Sequence, residues 1–460
     1  MIDHKQDTWP DSWKLLEHGI RTGRYTDPEF CKLEHEKLWL NVWQMATRVD
    51  AVAEPGDYAV YDIGHQSVIV VRNEHGEIKA FNNACPHRGT ALAEGNGQFE
   101  KCRIICPFHG WRWDVDGNNQ YVLEEQQFRD GKLTKDDVAL REVAVEVYAG
   151  FVFVNFSKDP APFADFISPF ADLLDDLATG EMRHYWWKSV EVPANWKVAV
   201  EAFLEGYHVP ATHPQLETTS ADFIYGDDVS GQPPQYSHLD HIYETFEHGH
   251  GRFLGGEKTP MAGHTRYEGD PVDLMADRLN LLVEGMDAMV LAEDVALVRS
   301  LKGKEIPEGS TLGAEYVKLL YATAAEQGRP MPKPEKHVLN MWGGELFIFP
   351  NLLVLPQAGN TMIYRVRPNG FNPDSCIFEI LSTKTYPKDQ QPPRTEIQEM
   401  TDVDDPEQFR QIPRQDFSNI PRIQKGLHTQ GCKQVWMADY YEKIIMNMHQ
   451  ELDRYLSDQK

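Results

Sequence analysis

The sequence predicts an α+β protein in two main parts, a small all-β domain followed by a larger domain in which helices flank a twisted antiparallel sheet. Three observations carry this reading. Between about Asn41 and Phe156, short strand-like runs alternate with Gly/Asn turns. Beyond Pro160 the composition shifts to helical stretches mixed with longer strands. With 460 residues, 41% of them hydrophobic, the chain can bury a substantial core and divide into more than one domain.

Taken in order, residues 1–39 read as a helical segment packing on the larger domain. Pro28 is placed as an early helix residue, and Phe30, Leu33, Leu38 and Leu40 are spaced for one buried face. Residues 40–158 form the β domain, with strand runs at Tyr58-Ala-Val-Tyr, Ser67-Val-Ile-Val-Val and Gly150-Phe-Val-Phe-Val-Asn. Glu74-His-Gly and Asp116-Gly-Asn read as hairpin turns. Residues 159–460 form the larger domain, with strands at Glu345-Leu-Phe-Ile-Phe and from Cys376 to Tyr386. The stretch from Ser220 to Val338 carries loop signals at Gly231-Gln-Pro-Pro234, Gly249-His-Gly251 and Gly255-Gly256, and substrate choice is expected there. Its apolar residues include Phe223, Tyr225, Leu274, Leu279, Leu281, Leu282 and Met289, a subset of which is expected to line a pocket. No internal repeat or low-complexity tract stands out.

The 71 acidic and 45 basic residues leave a formal charge of −26, which argues against nucleic acid or an anionic membrane as partner. Met1 to Asp11 is polar and no apolar run is long enough to span a bilayer, so a cytoplasmic enzyme is expected. Six cysteines are too few to staple the fold, and Cys31, Cys102, Cys376 and Cys432 read as reduced packing residues.

The remaining two cysteines belong to a distinctive pattern, Cys85-Pro-His87 and Cys106-Pro-Phe-His109. Two thiolates and two imidazoles suit a Rieske-type [2Fe–2S] cluster, Cys85 and Cys106 on one iron and His87 and His109 on the other. Zinc also accepts Cys₂His₂, but its ligands usually come as Cys–Cys and His–His pairs, whereas each loop here mixes the two. Pro86 and Pro107 stiffen the loops, Gly89 and Gly110 permit tight backbone turns, and Phe108, Trp111 and Trp113 are placed to exclude water. The segment Asn83–Trp113 resembles the Rieske domain of ring-hydroxylating oxygenases, whose loops read C-x-H-R-G and C-x-x-H-G-W. The extra disulfide usual in respiratory Rieske proteins has no cysteines to form it here.

A second constellation lies in Asn195-Trp-Lys-Val-Ala-Val-Glu-Ala-Phe-Leu-Glu-Gly-Tyr-His-Val-Pro-Ala-Thr-His213. On a helix, Glu201, Glu205 and His208 share one face, and Pro210 ends the helix so that His213 folds back toward it. Two histidines and a carboxylate leave open positions on a non-haem Fe(II). This run resembles the iron-binding helix of Rieske oxygenase α subunits. The resemblance implies His208 and His213 as iron ligands and Glu205 as the bridging acid between an iron-ligand histidine and His109 of a neighbouring subunit. Most arene dioxygenases of the family carry Asp at that position, so the resemblance to an aromatic dihydroxylase is weaker than the architecture. The family's third ligand is the acid of a helical acid-x₇-Gln-x-Gly-Leu pattern, which Asp416 and Gln424-Lys-Gly-Leu427 match, so the resemblance implies Asp416. Asp402, Asp404 and Asp405 are rivals that read better as a solvated acidic helix start.

The resemblance implies a helix-grip-like catalytic domain and a terminal oxygenase that uses O₂ to hydroxylate an aromatic or related organic substrate. Electrons are expected from NAD(P)H through a separate reductase or ferredoxin, with a mononuclear Fe(II) beside the [2Fe–2S] cluster. A head-to-tail homotrimer, with or without a β subunit, is the expected assembly. A monooxygenase or demethylase acting on a quaternary amine is the alternative, and an electron carrier or a zinc-binding protein are the readings from other classes. Arg88, Lys101, Arg103 and Arg112 form a candidate basic patch for an acidic redox partner. His238, His241, His248, His250 and His264 read as residues of turns and strands near the pocket rather than as ligands.

Overall fold

The computed structural model describes residues 9–216, 241–255, 269–357, 359–394 and 396–457. In the β part, Ile78–Asn82, Gln66–Arg72, Asp57–Ile63 and Asn96–Gln98 pair in that order as an antiparallel sheet. Asp57–Ile63 buries alternate residues, as a strand with one face on a core must. A second sheet joins Arg103–Ile105, Arg112–Asp114 and Asn119–Tyr121. Between the sheets lies a small core of Ile69, Val71, Phe81, Ile104, Trp111 and Trp113, and Cys85 and Cys106 are part of it. The cysteine–histidine loops follow Ile78–Asn82 and join Ile105 to Arg112, so both spring from packed strands.

The third sheet of this part, Gln44–Arg48 with Phe151–Asn155 and Ala144–Tyr148, joins the core of the larger domain. Every residue of Gln44–Arg48 and Phe151–Asn155 is buried. Asn351 pins the first of these strands, accepting from the Met45 amide at 3.0 Å and donating to the Met45 carbonyl at 3.1 Å.

The larger domain is built on an eight-stranded sheet. Its order is Ile242–Thr245, Gly251–Leu254, Glu345–Ile348, Leu352–Pro356, Asn360–Pro368, Cys376–Thr385, Met182–Val192 and Gln398–Met400. All pairings are antiparallel except the last, where Gln398–Met400 runs parallel to Met182–Val192, so the expected antiparallel sheet departs from that pattern at one edge. The helix Trp196–Glu201 packs on the Asn360–Pro368 and Cys376–Thr385 strands, and the helix Gln411–Leu427 packs against it.

The N-terminal segment is mixed rather than helical. Leu15–Leu16 and Gly19–Arg21 form a hairpin that continues onto Gln434–Trp436. Asp27 then caps the helix Pro28–Glu34, with Pro28 in its first turn as the sequence predicts. Glu34 accepts from Lys197 Nζ at 2.6 Å and from Trp196 Nε1 at 3.3 Å, and Asn195 Nδ2 donates to the Tyr25 and Pro373 carbonyls, each at 3.0 Å. The Asn195-Trp-Lys triplet thus moors the N-terminal segment to the start of the site helix. Among the described residues no helix is long and apolar enough to cross a membrane.

Candidate metal centres and substrate cavity

The two cysteine–histidine loops share one hydrogen-bond frame. Cys85 N–H donates to the Thr90 carbonyl at 2.9 Å and Gly89 N–H to the Cys85 carbonyl at 2.8 Å; Cys106 N–H donates to Trp111 at 2.9 Å and Gly110 N–H to Cys106 at 3.0 Å. Each frame closes on a glycine with positive φ, 75° at Gly89 and 70° at Gly110, where a side chain would be strained. The frames aim backbone N–H groups at the sulfurs, those of His87 and Arg88 at Cys85 and those of Phe108 and His109 at Cys106. Burial raises the Cys85 thiol above its ordinary range. At Cys106 burial opposes ionisation but is outweighed by the Phe108 and His109 amides, and the thiol falls below that range.

His87 and His109 stand with ring centroids 4.6 Å apart, and His87 stacks on Trp111 at 5.0 Å. The Nδ1 atoms of both imidazoles are buried without a hydrogen-bond partner. Orphaned ring nitrogens beside two thiols with amide donors on their sulfurs are the donor set a [2Fe–2S] cluster requires. None of the six cysteines forms a disulfide.

In the larger domain, His208, His213 and Asp416 bring their ligand atoms within 4.8 Å of one another. His213 Nε2 lies 2.9 Å and His208 Nε2 3.8 Å from Asp416 Oδ1. The opposite ring nitrogens are both held. His208 Nδ1 meets Glu205 Oε1 at 2.9 Å, and His213 Nδ1 meets Gln415 Oε1 at 3.0 Å. These oxygens suit the tautomer a metal ligand needs, with the proton on Nδ1 and the Nε2 lone pair left for the metal. Burial disfavours a charged His208, but Glu205 and Asp416 outweigh it and raise the imidazole to about 9. That shift measures how strongly the pair of carboxylates favours positive charge here, whether a proton or a metal ion. The donor set of two imidazoles and one carboxylate fits a mononuclear Fe(II) with open positions.

The local backbone differs from the sequence expectation. The helix Trp196–Glu201 stops at Glu201, and Pro210 sits in the first turn of a second short helix, Val209–Thr212, instead of ending the first. Glu205 lies in the turn between them, where its Oε2 accepts from the His208 amide at 2.9 Å and the Gly206 amide donates to Tyr243 Oη at 2.9 Å. Glu201 therefore does not share the metal face. It turns to Tyr25, whose hydroxyl donates at 3.0 Å, and to His449 Nε2 at 2.7 Å. Asp416 is 5% exposed on the helix Gln411–Leu427, whereas Asp402 and Asp404 are exposed and Asp405 caps a turn by accepting from the Glu407 amide. Sequence reasoning missed Gln415 and Gln215. Gln215 Nε2 donates to Gln415 Oε1 at 2.7 Å, and only the adjacency of Gln415 to Asp416 pointed toward a role.

His208, His213, Asp416 and Glu205 open onto a cavity of about 240 Å³. Of the apolar residues expected near it, Leu279, Leu282 and Met289 line it, Leu281 is exposed and Leu274 is not in the lining. Phe223, Tyr225, His238, His264 and the Gly231–Pro234 loop lie outside the described residues, as does Gly256. His241 lines the cavity, whereas His250 braces the fold, with Nε2 at 2.8 Å from the Phe166 carbonyl and Nδ1 accepting from the Phe349 amide at 3.0 Å. Arg88, Lys101, Arg103 and Arg112 are all exposed; Arg88 sits over Phe108 and Arg112 over Tyr121.

Residues 42–141 match the Rieske [2Fe-2S] domain, and residues 179–280 and 307–458 match the ring hydroxylating alpha subunit (catalytic domain). A carnitine monooxygenase oxygenase subunit from Acinetobacter pittii is 29% identical over 50% of this chain and 58% of its own length. The chain spans about half the length of the curated relatives it matches. Among solved structures, the quaternary ammonium Rieske monooxygenase CntA in complex with an inhibitor shares the fold with a TM-score of 0.63 at 18% identity, over 95% of both chains. Naphthalene 1,2-dioxygenase from Rhodococcus sp., bound to indole, does so with a TM-score of 0.62 at 18% identity, over 96% of this chain and 95% of that one. Since the catalytic-domain match alone covers more than half of the residues and the Rieske match precedes it, the chain belongs to the ring-hydroxylating oxygenase α subunits.

Proposed function

We propose that this chain is the terminal oxygenase of a multicomponent system, hydroxylating an organic substrate in the cavity beside His208, His213 and Asp416. The observation that carries the reading is the opening of that triad onto a mostly apolar cavity in a chain that also carries paired Rieske loops. In this reading residues 1–39, 40–158 and 159–460 are the N-terminal, Rieske and catalytic parts. Cys85, His87, Cys106 and His109 hold the cluster, and His208, His213 and Asp416 hold the iron. When bound, these centres supply electron relay and oxygen activation, with electrons drawn from NAD(P)H through a separate reductase or ferredoxin.

The chain's own share is orientation and exclusion of water. Glu205 fixes the His208 ring through Nδ1 and Gln415 fixes His213, so neither ligand must reorganise when metal binds. Leu279, Leu282, Met286 and Met289 give the cavity apolar walls that disfavour water. Exposed aromatic residues flank both ends of the proposed relay, Phe108 at 58% beside His109, and Tyr207 at 55% beside His208 on the catalytic side. Such surfaces support a head-to-tail trimer in which His109 of one chain approaches Glu205 of the next. The exposed arginines around the cluster suit an acidic redox partner, and six unpaired cysteines suit the cytoplasm.

A quaternary amine is the second reading. It is favoured by the carnitine monooxygenase relatives and by the rings of Phe203, Phe253, Trp342 and Tyr364 in the cavity lining. The deciding experiment is anaerobic reconstitution with iron and sulfide, followed by oxygen uptake and product analysis with a surrogate reductase across aromatic acids, hydrocarbons and quaternary amines. Two spectroscopically distinct iron centres and substrate-dependent uptake are expected. A single kind of metal site, or full coupled activity from a monomer, contradicts the reading.

A further inference from the structure

The cavity contains an ionisable side chain that neither proposed centre uses. Glu345, the first residue of the Glu345–Ile348 strand, is 3% exposed and lines the cavity, and its Oε1 is buried with no hydrogen-bond partner among the described residues. The preceding glycine holds it there, since a Cβ on Gly344 would collide with the Phe253 carbonyl oxygen of the neighbouring strand. Three residues earlier in the chain, Trp342 also lines the cavity, and its Nε1 is likewise buried without a partner.

Burying an unpaired carboxylate is costly, and a neutral carboxyl avoids most of that cost. Burial and the nearby Glu205 push Glu345 well above the usual carboxylate range, so its carboxyl keeps its proton and can donate. Even a neutral carboxyl without a partner is worse than a leucine of similar volume in the same wall. The missing partner therefore belongs in the cavity. A plain hydrocarbon or a trimethylammonium group offers no acceptor and would leave the Glu345 donor unsatisfied.

We propose that Glu345 is a specificity-determining residue that anchors, through a hydrogen bond into the cavity, an oxygen acceptor carried by an otherwise apolar, uncharged substrate. The acceptor is a carbonyl, ether or hydroxyl oxygen. This rests on the oxygenase reading above and names the class of substrate for that site.

The test measures binding to the anaerobic holoprotein by calorimetry, with three size-matched probes: an aryl methyl ketone, the ethyl arene, and the aryl trimethylammonium. Wild type should bind the ketone about tenfold more tightly than the ethyl arene. Glu345→Leu should abolish that preference and raise the Tm, because it removes a buried unsatisfied group; a merely structural glutamate would lower the Tm when lost. Glu345→Gln, which keeps a donor and the volume, should hold ketone affinity within about threefold of wild type. Equal binding of ketone and ethyl arene by wild type, no binding of any probe, or tightest binding of the ammonium with loss in both variants overturns the proposal. Oxygen uptake is read separately. Selective ketone binding without any oxygen consumption overturns the oxygenase reading and leaves the anchor standing, whereas uptake without the ketone preference overturns the anchor alone.

Discussion

Gln424 Oε1 accepts a hydrogen bond from the Asn195 backbone amide at 3.1 Å, so the helix that carries Asp416 is tied to the first residue of the segment that leads to His208. Gln424 Nε2 also donates to the Tyr25 carbonyl at 3.3 Å and to Asp374. The spacing between the acid and this glutamine thus has a mechanical reason, because two turns of helix separate Asp416 from the mooring point.

Gln424→Ala leaves the Asn195 amide without its partner and frees the helix Gln411–Leu427 from the N-terminal segment. A loss of about 1–3 kcal/mol in stability is expected, with reduced mononuclear iron content and an unchanged cluster spectrum. Thermal unfolding and iron analysis of the same preparation check both.

Asp416→Ala removes the carboxylate that lies 2.9 Å from His213 Nε2. The mononuclear site should empty while the cluster keeps its full absorbance and sulfide. Full mononuclear occupancy in this variant would remove Asp416 from the ligand set.

Glu205→Gln keeps an acceptor for His208 Nδ1–H, so both metals should bind at wild-type levels. Transfer of an electron from reduced cluster to iron should nevertheless slow by about 10–100-fold, as losses of residues that orient metal ligands do. Stopped-flow reduction separates this from a binding defect, and rapid reduction of the iron site would show that Glu205 is not the bridge.

Glu201, held by Tyr25 and His449, supplies a pH signature. Burial raises its carboxyl to about 8 despite the Tyr25 hydrogen bond, so the folded protein holds a proton that the unfolded chain releases near the ordinary glutamate range. The native state therefore binds more protons across that interval, and this group's contribution makes stability fall as pH rises from the mid-fours through about 8. Glu201→Gln should flatten that slope, gaining stability relative to wild type at pH 8 more than at pH 5. Melting temperatures of both proteins across that range give the answer.

Much of the site was legible because its residues are locally patterned. The repeated cysteine–histidine loops, the His208 and His213 pair and the Asp416-to-Gln424 spacing are all short-range signals, and the structure brings His87 beside His109 and, separately, His208 and His213 beside Asp416. The break after Glu201 was not legible, because Ala202-Phe-Leu-Glu has good helix propensity. Tertiary partners override it, with His208 holding Glu205 and Tyr243 holding the Gly206 amide. Glu345 was hidden for a different reason. At the start of a strand it reads as the polar end of an apolar run, and only the fold reveals that it is walled in. The Leu15–Arg21 hairpin escaped because its third strand, Gln434–Trp436, comes from the far end of the chain.

Gln415 and Asp416 are consecutive residues of one helix, the first steering His213 and the second completing the triad. They behave as a single crankshaft: any roll of that helix misaligns an imidazole and withdraws a carboxylate in the same motion. Partial loosening should thus leave no long-lived two-ligand species, and metal release should be sharply cooperative with undocking of this helix.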